Sequence, residues 1–124
     1  QVDGCDELCP GVYAVSTPSH GGIMVRCDIA DRILSEAARK CGIKERFYIC
    51  FEEDCDEAVA IRELMDRGVY QAPADEYAEP GEYEAVIDSF LQTFYPEYWA
   101  AREKMMEAGR NGFQKTRNRK EPER

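Results

Sequence analysis

The chain has 124 residues, 44% of them hydrophobic, with 16 Lys and Arg against 25 Asp and Glu and a single His, for a formal net charge of −9. That length holds one domain around one core and leaves no room for a second independent unit. No run of about 18 apolar residues occurs, so no segment reads as a membrane span, and an acidic body repels phosphate backbones, which argues against nucleic acid as its main ligand.

The charge is uneven. Residues 1–101 carry 21 acidic and 8 basic side chains, whereas residues 102–124 carry 4 acidic and 8 basic. The expectation is one compact domain over residues 1–110, followed by a basic, disordered tail over 111–124, in which Phe113 alone is strongly apolar. Any contact with nucleic acid is left to that tail and is weak. The start at Gln1 rather than methionine reads as a trimmed end.

In chain order, residues 1–10 are short and acidic and end in Pro10 and Gly11, an extended arm entering a turn. Val12, Tyr13, Val15 and Thr17 have the β-branched and aromatic character of a strand, which Pro18 stops. Residues 19–22 turn the chain and residues 23–27 restart an apolar run, so a β-hairpin is predicted with His20 near its tip. From Asp28 the apolar period lengthens: Ile29, Ile33, Leu34, Ala37, Ala38 and Cys41 share one face of a single helix, capped by Asp28 and stopped by Gly42. Arg46 to Phe51 form an extended run in which Phe47, Tyr48, Ile49, Cys50 and Phe51 follow without interruption, as expected of a strand buried on both faces or central in the sheet.

Glu52, Glu53 and Asp54 then open a second helix through Arg67, where carboxylates favour the positive end of the helix dipole. Its inward residues are expected to be Cys55, Ala58, Val59, Ile61, Leu64 and Met65. Residues 69–82 read as a loop and 82–94 as a third helix with Val86, Ile87, Phe90, Leu91 and Phe94 on one face. A fourth helix starts at Pro96 and ends at Gly109. The aromatic cluster from Phe90 to Trp99 reads first as core and second as a partner-binding face.

Residues 10–22, P-G-V-Y-A-V-S-T-P-S-H-G-G, together with residues 51–58, F-E-E-D-C-D-E-A, resemble a small domain of unknown function. That family is met in bacterial proteins and in large multi-domain proteins of plasmids, phages and conjugative elements. The matching positions are Ser16, Thr17, Ser19, His20, Gly21, Gly22, Glu52, Glu53, Asp54 and Cys55. The resemblance carries no activity; it implies a mobile-element setting, including protection of incoming DNA from host defences, by association rather than mechanism.

The single histidine has the ordinary pKa for acid–base work near neutrality, and the adjacent glycines allow close approach of a ligand or another backbone. If strand 46–51 lies beside the hairpin, Glu53 or Asp54 can orient the imidazole, either as a chemical site or as a lock on the turn. Cys55 is a candidate nucleophile, although the three preceding carboxylates oppose its ionisation. The cysteines and histidine that could ligate metal, Cys5, Cys9, His20, Cys50 and Cys55, lack the two-residue spacing of zinc knuckles, and the six cysteines are read as reduced and mostly buried. No metal and no cofactor are expected.

The fold expected is α+β, a small antiparallel sheet made of the hairpin plus one further strand packed against three to four helices. The function expected is that of a cytoplasmic, non-enzymatic accessory protein binding a protein partner through an acidic surface. Ser19, His20, Gly21, Gly22, Glu52, Glu53 and Asp54 are the candidate binding residues, and no oligomeric state is implied. The alternative is a small hydrolase or ligand-binding enzyme using His20 with Glu53 or Asp54.

Overall fold

Alternation along the strands decides which side of the sheet the helices cover. In β2 (Val12–Ser16), β3 (Gly21–Arg26) and β5 (Tyr48–Glu52), the residues Val12, Ile23, Val25, Ile49 and Phe51 are buried, while their neighbours Tyr13, Met24, Tyr48 and Cys50 are only half-buried. One face therefore meets the core and the other remains partly open. The computed structural model describes residues 4–16, 21–72 and 79–120. Within them, β1 (Gly4–Cys9) and β4 (Ile43–Glu45) complete an antiparallel sheet in the order β1-β2-β3-β5-β4. The fold is α+β.

Two strands exceed the sequence expectation. The acidic arm is β1, paired to β2 from Gly4↔Ser16 to Cys9↔Val12, with Pro10 and Gly11 forming the turn between them. β1 lies at the sheet edge and buries little, so alternation leaves almost no apolar trace in its sequence. Three-residue β4 is likewise an edge, fully exposed along its length. The strand predicted over residues 46–51 runs instead over 48–52; it lies inside the sheet between β3 and β4, as one of the two expectations had it, but buries only Ile49 and Phe51 on one face, while Phe47 is 69% exposed in the preceding turn.

The helix predicted over 28–41 is two helices, α1 (Cys27–Ile33) and α2 (Glu36–Cys41). Leu34 is extended and buried at 1% exposure, and the Ser35 hydroxyl accepts the Ala38 N–H at 3.1 Å as an N-cap. Driving Leu34 into the core and capping at Ser35 outweighs continuing the helix. Asp28 does not cap α1; it lies in the first turn and receives the Arg26 guanidinium at 2.7 Å, which lowers its carboxyl pKa.

The second predicted helix also starts later. Glu52 ends β5, residues 53–56 turn, and α3 spans Glu57–Asp66. Cys55 is consequently exposed rather than inward, whereas Val59, Ala60, Ile61 and Leu64 are buried. α4 (Glu82–Phe94) has the predicted bounds, yet of its apolar face only Leu91 is fully buried, while Val86 and Phe94 are exposed. α5 (Pro96–Lys120) passes through Gly109 and over residues 111–120, the segment expected to be a disordered tail. A glycine inside an exposed helix costs about 1 kcal/mol without ending it. α4 and α5 bring Leu91 and Tyr98 into the same core as Phe51, Leu34 and Leu64.

Candidate functional site

The sheet brings the two halves of the signature together. β3 and β5 pair from Gly22↔Glu52 to Arg26↔Tyr48, which sets the acidic segment against the return strand of the hairpin. Beyond the last pair, the Glu53 N–H donates to the Gly21 carbonyl at 2.9 Å, and the Gly21 N–H donates to Glu53 Oε1 at 3.1 Å. One residue thus holds Gly21 through both its backbone and its carboxylate. Ser19 and His20, with Thr17 and Pro18, lie outside the described residues, and so does the expected imidazole–carboxylate pairing.

The two glycines are explained by crowding. A Cβ on Gly22 would stand 2.3 Å from the Phe51 carbonyl oxygen, and one on Gly21 would stand 2.6 Å from that of Val15. Both distances are far inside van der Waals contact with backbone that is already paired. The close approach foreseen for these glycines is therefore made by neighbouring strands.

Residues 52–57 contain five carboxylates, with Cys55 the exception. Glu52, Glu53, Asp54 and Cys55 are all exposed, and among the described residues no Lys or Arg forms an ion pair with any of the five. Asp54 adopts a left-handed backbone at φ 67°, tolerable for Asp and Asn. The turn is closed from within: Asp56, 7% exposed, accepts the Glu52 N–H on Oδ1 at 2.5 Å, and the Cys55 N–H donates to the Glu52 carbonyl at 3.1 Å. Burial raises the Glu57 carboxyl pKa, and Glu53, Asp54 and Asp56 push it up further. The acidic triplet is thus a surface turn, and its role is not that of a helix first turn.

The thiols do not assemble into a centre. All six cysteines are free; Cys5 and Cys55 are exposed and the other four half-buried, which corrects the expectation of mostly buried thiols. They sit on strands, turns and helix ends whose small faces leave sulfur partly open. Burial raises the Cys9, Cys41 and Cys50 thiol pKa values, which suits packed rather than reactive sulfur. Among the described residues, no group of three His, Cys, Asp or Glu is placed to hold a metal ion.

A polar hub escaped the sequence reading. Glu63, 7% exposed, accepts the Ser35 N–H at 2.6 Å and the Tyr98 hydroxyl at 2.7 Å, tying α3 to the α1–α2 break and to α5. Burial, reinforced by Glu63, strongly raises the Tyr98 phenol pKa. Nearby, Asp66 receives Arg102 through two hydrogen bonds of 2.8 and 2.9 Å and Arg62 at 3.2 Å, while Arg62 reaches Asp88 at 2.7 Å. The available signal was a carboxylate at position 63, spaced from Val59 and Ala60 so as to fall on the inward stripe of α3. This hub joins helices and lines an open groove of about 290 Å³, in which Ser35, Glu63, Asp66 and Arg102 meet Met105 and Met106; another shallow groove, of about 470 Å³, lies between α2 and α5, lined in part by Ala37, Cys41, Ala101 and Met105.

Among the described residues, no helix is long and apolar enough to cross a membrane. No curated protein and no solved structure matches the sequence. A family model does match, over residues 1–124: the chain belongs to the domain of unknown function DUF7007.

Proposed function

We propose that the chain is a non-enzymatic accessory protein of a bacterial mobile genetic element, working in the cytoplasm to counter host defence by binding a protein partner through its acidic surface. The observation that carries this reading is the acidic segment at residues 52–57, where Glu52, Glu53 and Asp54 are exposed and none of the five carboxylates has a cation partner among the described residues. Like charges held that close by backbone hydrogen bonds cost stability, and a basic partner removes the cost. Two of the carboxylates are structural: Glu53 holds Gly21 and Asp56 closes the turn. Glu52 and Asp54 remain free to meet a partner.

The alternative, a small hydrolase or ligand-binding enzyme using His20 with Glu53 or Asp54, is favoured by one contact: Glu53 bonds Gly21, the residue after His20. Against it, the exposed turn does not exclude water.

The test is affinity capture from bacterial lysate under reducing conditions, with wild type and Glu52→Gln/Asp54→Asn as baits. The double variant removes two charges, spares the Glu53 clamp and keeps a residue tolerant of the left-handed backbone at position 54. One stoichiometric protein retained by wild type and lost by the variant supports the reading; equal retention by both contradicts it.

A further inference from the structure

The last helix leaves the body of the domain well before it ends. Arg102 is its final anchor: the guanidinium bonds Asp66 of α3 and lies over the Trp99 ring, 4.8 Å from its centroid. From Glu103 to Gly109 every residue is exposed, and a Cβ on Gly109 would meet nothing within 4 Å. At about 1.5 Å per residue, the helix carries Lys120 about 27 Å beyond Arg102.

The charge changes sign along this arm. Residues 108–120 hold five Lys and Arg and no Asp or Glu, whereas residues 1–101 hold 21 acidic and 8 basic side chains. The acidic body repels a polyanion at short range, but the Debye length at physiological salt is about 8 Å, so the far end of the arm lies outside that field. The reach of the helix thus removes the objection that composition raises against nucleic acid.

Helical geometry also orders these residues, as a disordered tail would not. With about 3.6 residues per turn, Asn111, Gln114 and Asn118 occupy one face, three and four residues apart. Positions 110 and 117, both Arg, border that face on one side, and Lys115 and Arg119 border it on the other. A row of amides between two rows of cations suits the major groove of DNA. That groove is about 12 Å wide and admits one α-helix; Asn and Gln bond adenine N6 and N7 there, while Lys and Arg meet the phosphates of the walls. The narrow, deep major groove of duplex RNA offers no such fit. Phe113 is the one large apolar residue in 108–120, too little for a helix that lies in a membrane. An acidic protein surface would satisfy the cations and leave the amide row without a role.

We infer that residues 110–120 of α5 form an arm that binds the major groove of double-stranded DNA, with Asn111, Gln114 and Asn118 on the face toward the bases. The site is separate from the acidic turn and does not depend on the protein-binding reading.

The test is fluorescence anisotropy of a labelled A·T duplex of about 20 base pairs, titrated with the full chain over a salt series. Wild type is expected to bind with log K falling against log salt at a slope of about −4, near −0.9 for each phosphate neutralised. Arg117→Gln/Arg119→Gln/Lys120→Gln is expected to reduce the slope to about −2 and the affinity about tenfold or more. Replacing every adenine by 7-deazaadenine removes the N7 acceptor from the major groove and is expected to weaken wild type about fivefold or more. Asn111→Ala/Gln114→Ala/Asn118→Ala is expected to keep the salt slope and bind both duplexes alike. Gln and Ala both favour helix, and an unchanged thermal midpoint checks that the body is intact. Glu52→Gln/Asp54→Asn, which tests the other reading, is expected to bind DNA no less tightly.

No binding at about 50 mM salt, or binding that survives loss of the three cations, overturns the arm. If neither 7-deazaadenine nor the amide substitutions change affinity, the contact is with phosphates alone and the groove reading fails. Equal affinity for duplex RNA of the same sequence also overturns it. Capture by phosphatidylserine vesicles more tightly than by DNA would give the arm to a membrane, and self-association abolished by the triple Gln variant would give it to the acidic body of a second copy.

Discussion

The Tyr98 hydroxyl meets the Glu63 carboxylate at 2.7 Å inside the core, and this one contact fastens α5 to the centre of the domain. The other carboxylate oxygen holds the Ser35 N–H at the helix break. Tyr98→Phe keeps the ring and removes the donor, leaving a buried acceptor short of one partner. It is expected to cost about 1–3 kcal/mol, read as a lower urea midpoint with unchanged slope; an unchanged midpoint would show that the contact contributes nothing.

Two glycines predict opposite signs for the same substitution. Gly22→Ala sets a methyl 2.3 Å from the Phe51 carbonyl oxygen and forces β3 away from β5, so a loss exceeding about 2 kcal/mol is expected. At Gly109, inside α5, a Cβ meets nothing within 4 Å, and Gly109→Ala is expected to gain about 0.5–1 kcal/mol through helix propensity. Thermal unfolding of the pair checks both.

Asp66 binds Arg62 of α3 and Arg102 of α5, and Arg62 in turn binds Asp88 of α4. Removing the shared carboxylate in Asp66→Ala leaves two partly buried guanidiniums short of partners. A loss of about 2 kcal/mol or more is expected, and a double-mutant cycle with Arg102→Ala should show strong coupling. Additive losses would mean that the pair is merely adjacent.

The Glu57 carboxyl has a raised pKa in the folded chain, so the native state holds that proton more tightly than the unfolded one. Its contribution is therefore favourable below the ordinary glutamate pKa of about 4.3 and fades as pH rises through the folded value. Glu57→Gln is expected to raise the melting temperature at pH 7 and to lose that advantage below about pH 4. A difference that persists unchanged at low pH would assign the effect to packing.

Much of this was legible in the sequence where burial is one-sided and local. The two strands of the hairpin and the bounds of α4 follow from apolar spacing, and the meeting of Gly21 and Gly22 with the acidic segment was expected on the condition that strand 46–51 lies beside the hairpin, which the β3–β5 pairing meets. What escaped was decided by tertiary packing. β1 packs only Leu8 and Cys9 against the core and shows no apolar alternation. Leu34 kept a helical spacing with its neighbours while its backbone turned extended, and the Ser35 cap gave the only local hint. The acidic triplet imitates a helix start, but the turn closed by Asp56 delays α3 to Glu57. Glu63 read as surface charge because its partners, Ser35 and Tyr98, are 28 and 35 residues away.

On the proposed reading, the acidic turn, and not chemistry at His20, makes this domain functional. The most direct measurement sets His20→Ala beside Glu52→Gln/Asp54→Asn in one quantitative capture from lysate, with mass spectrometry of the bait for any small ligand. His20→Ala is expected to retain the protein partner at wild-type stoichiometry while the neutralised turn loses it. A partner kept by the neutralised turn, or a small molecule that leaves with His20→Ala while no protein is captured, would contradict it.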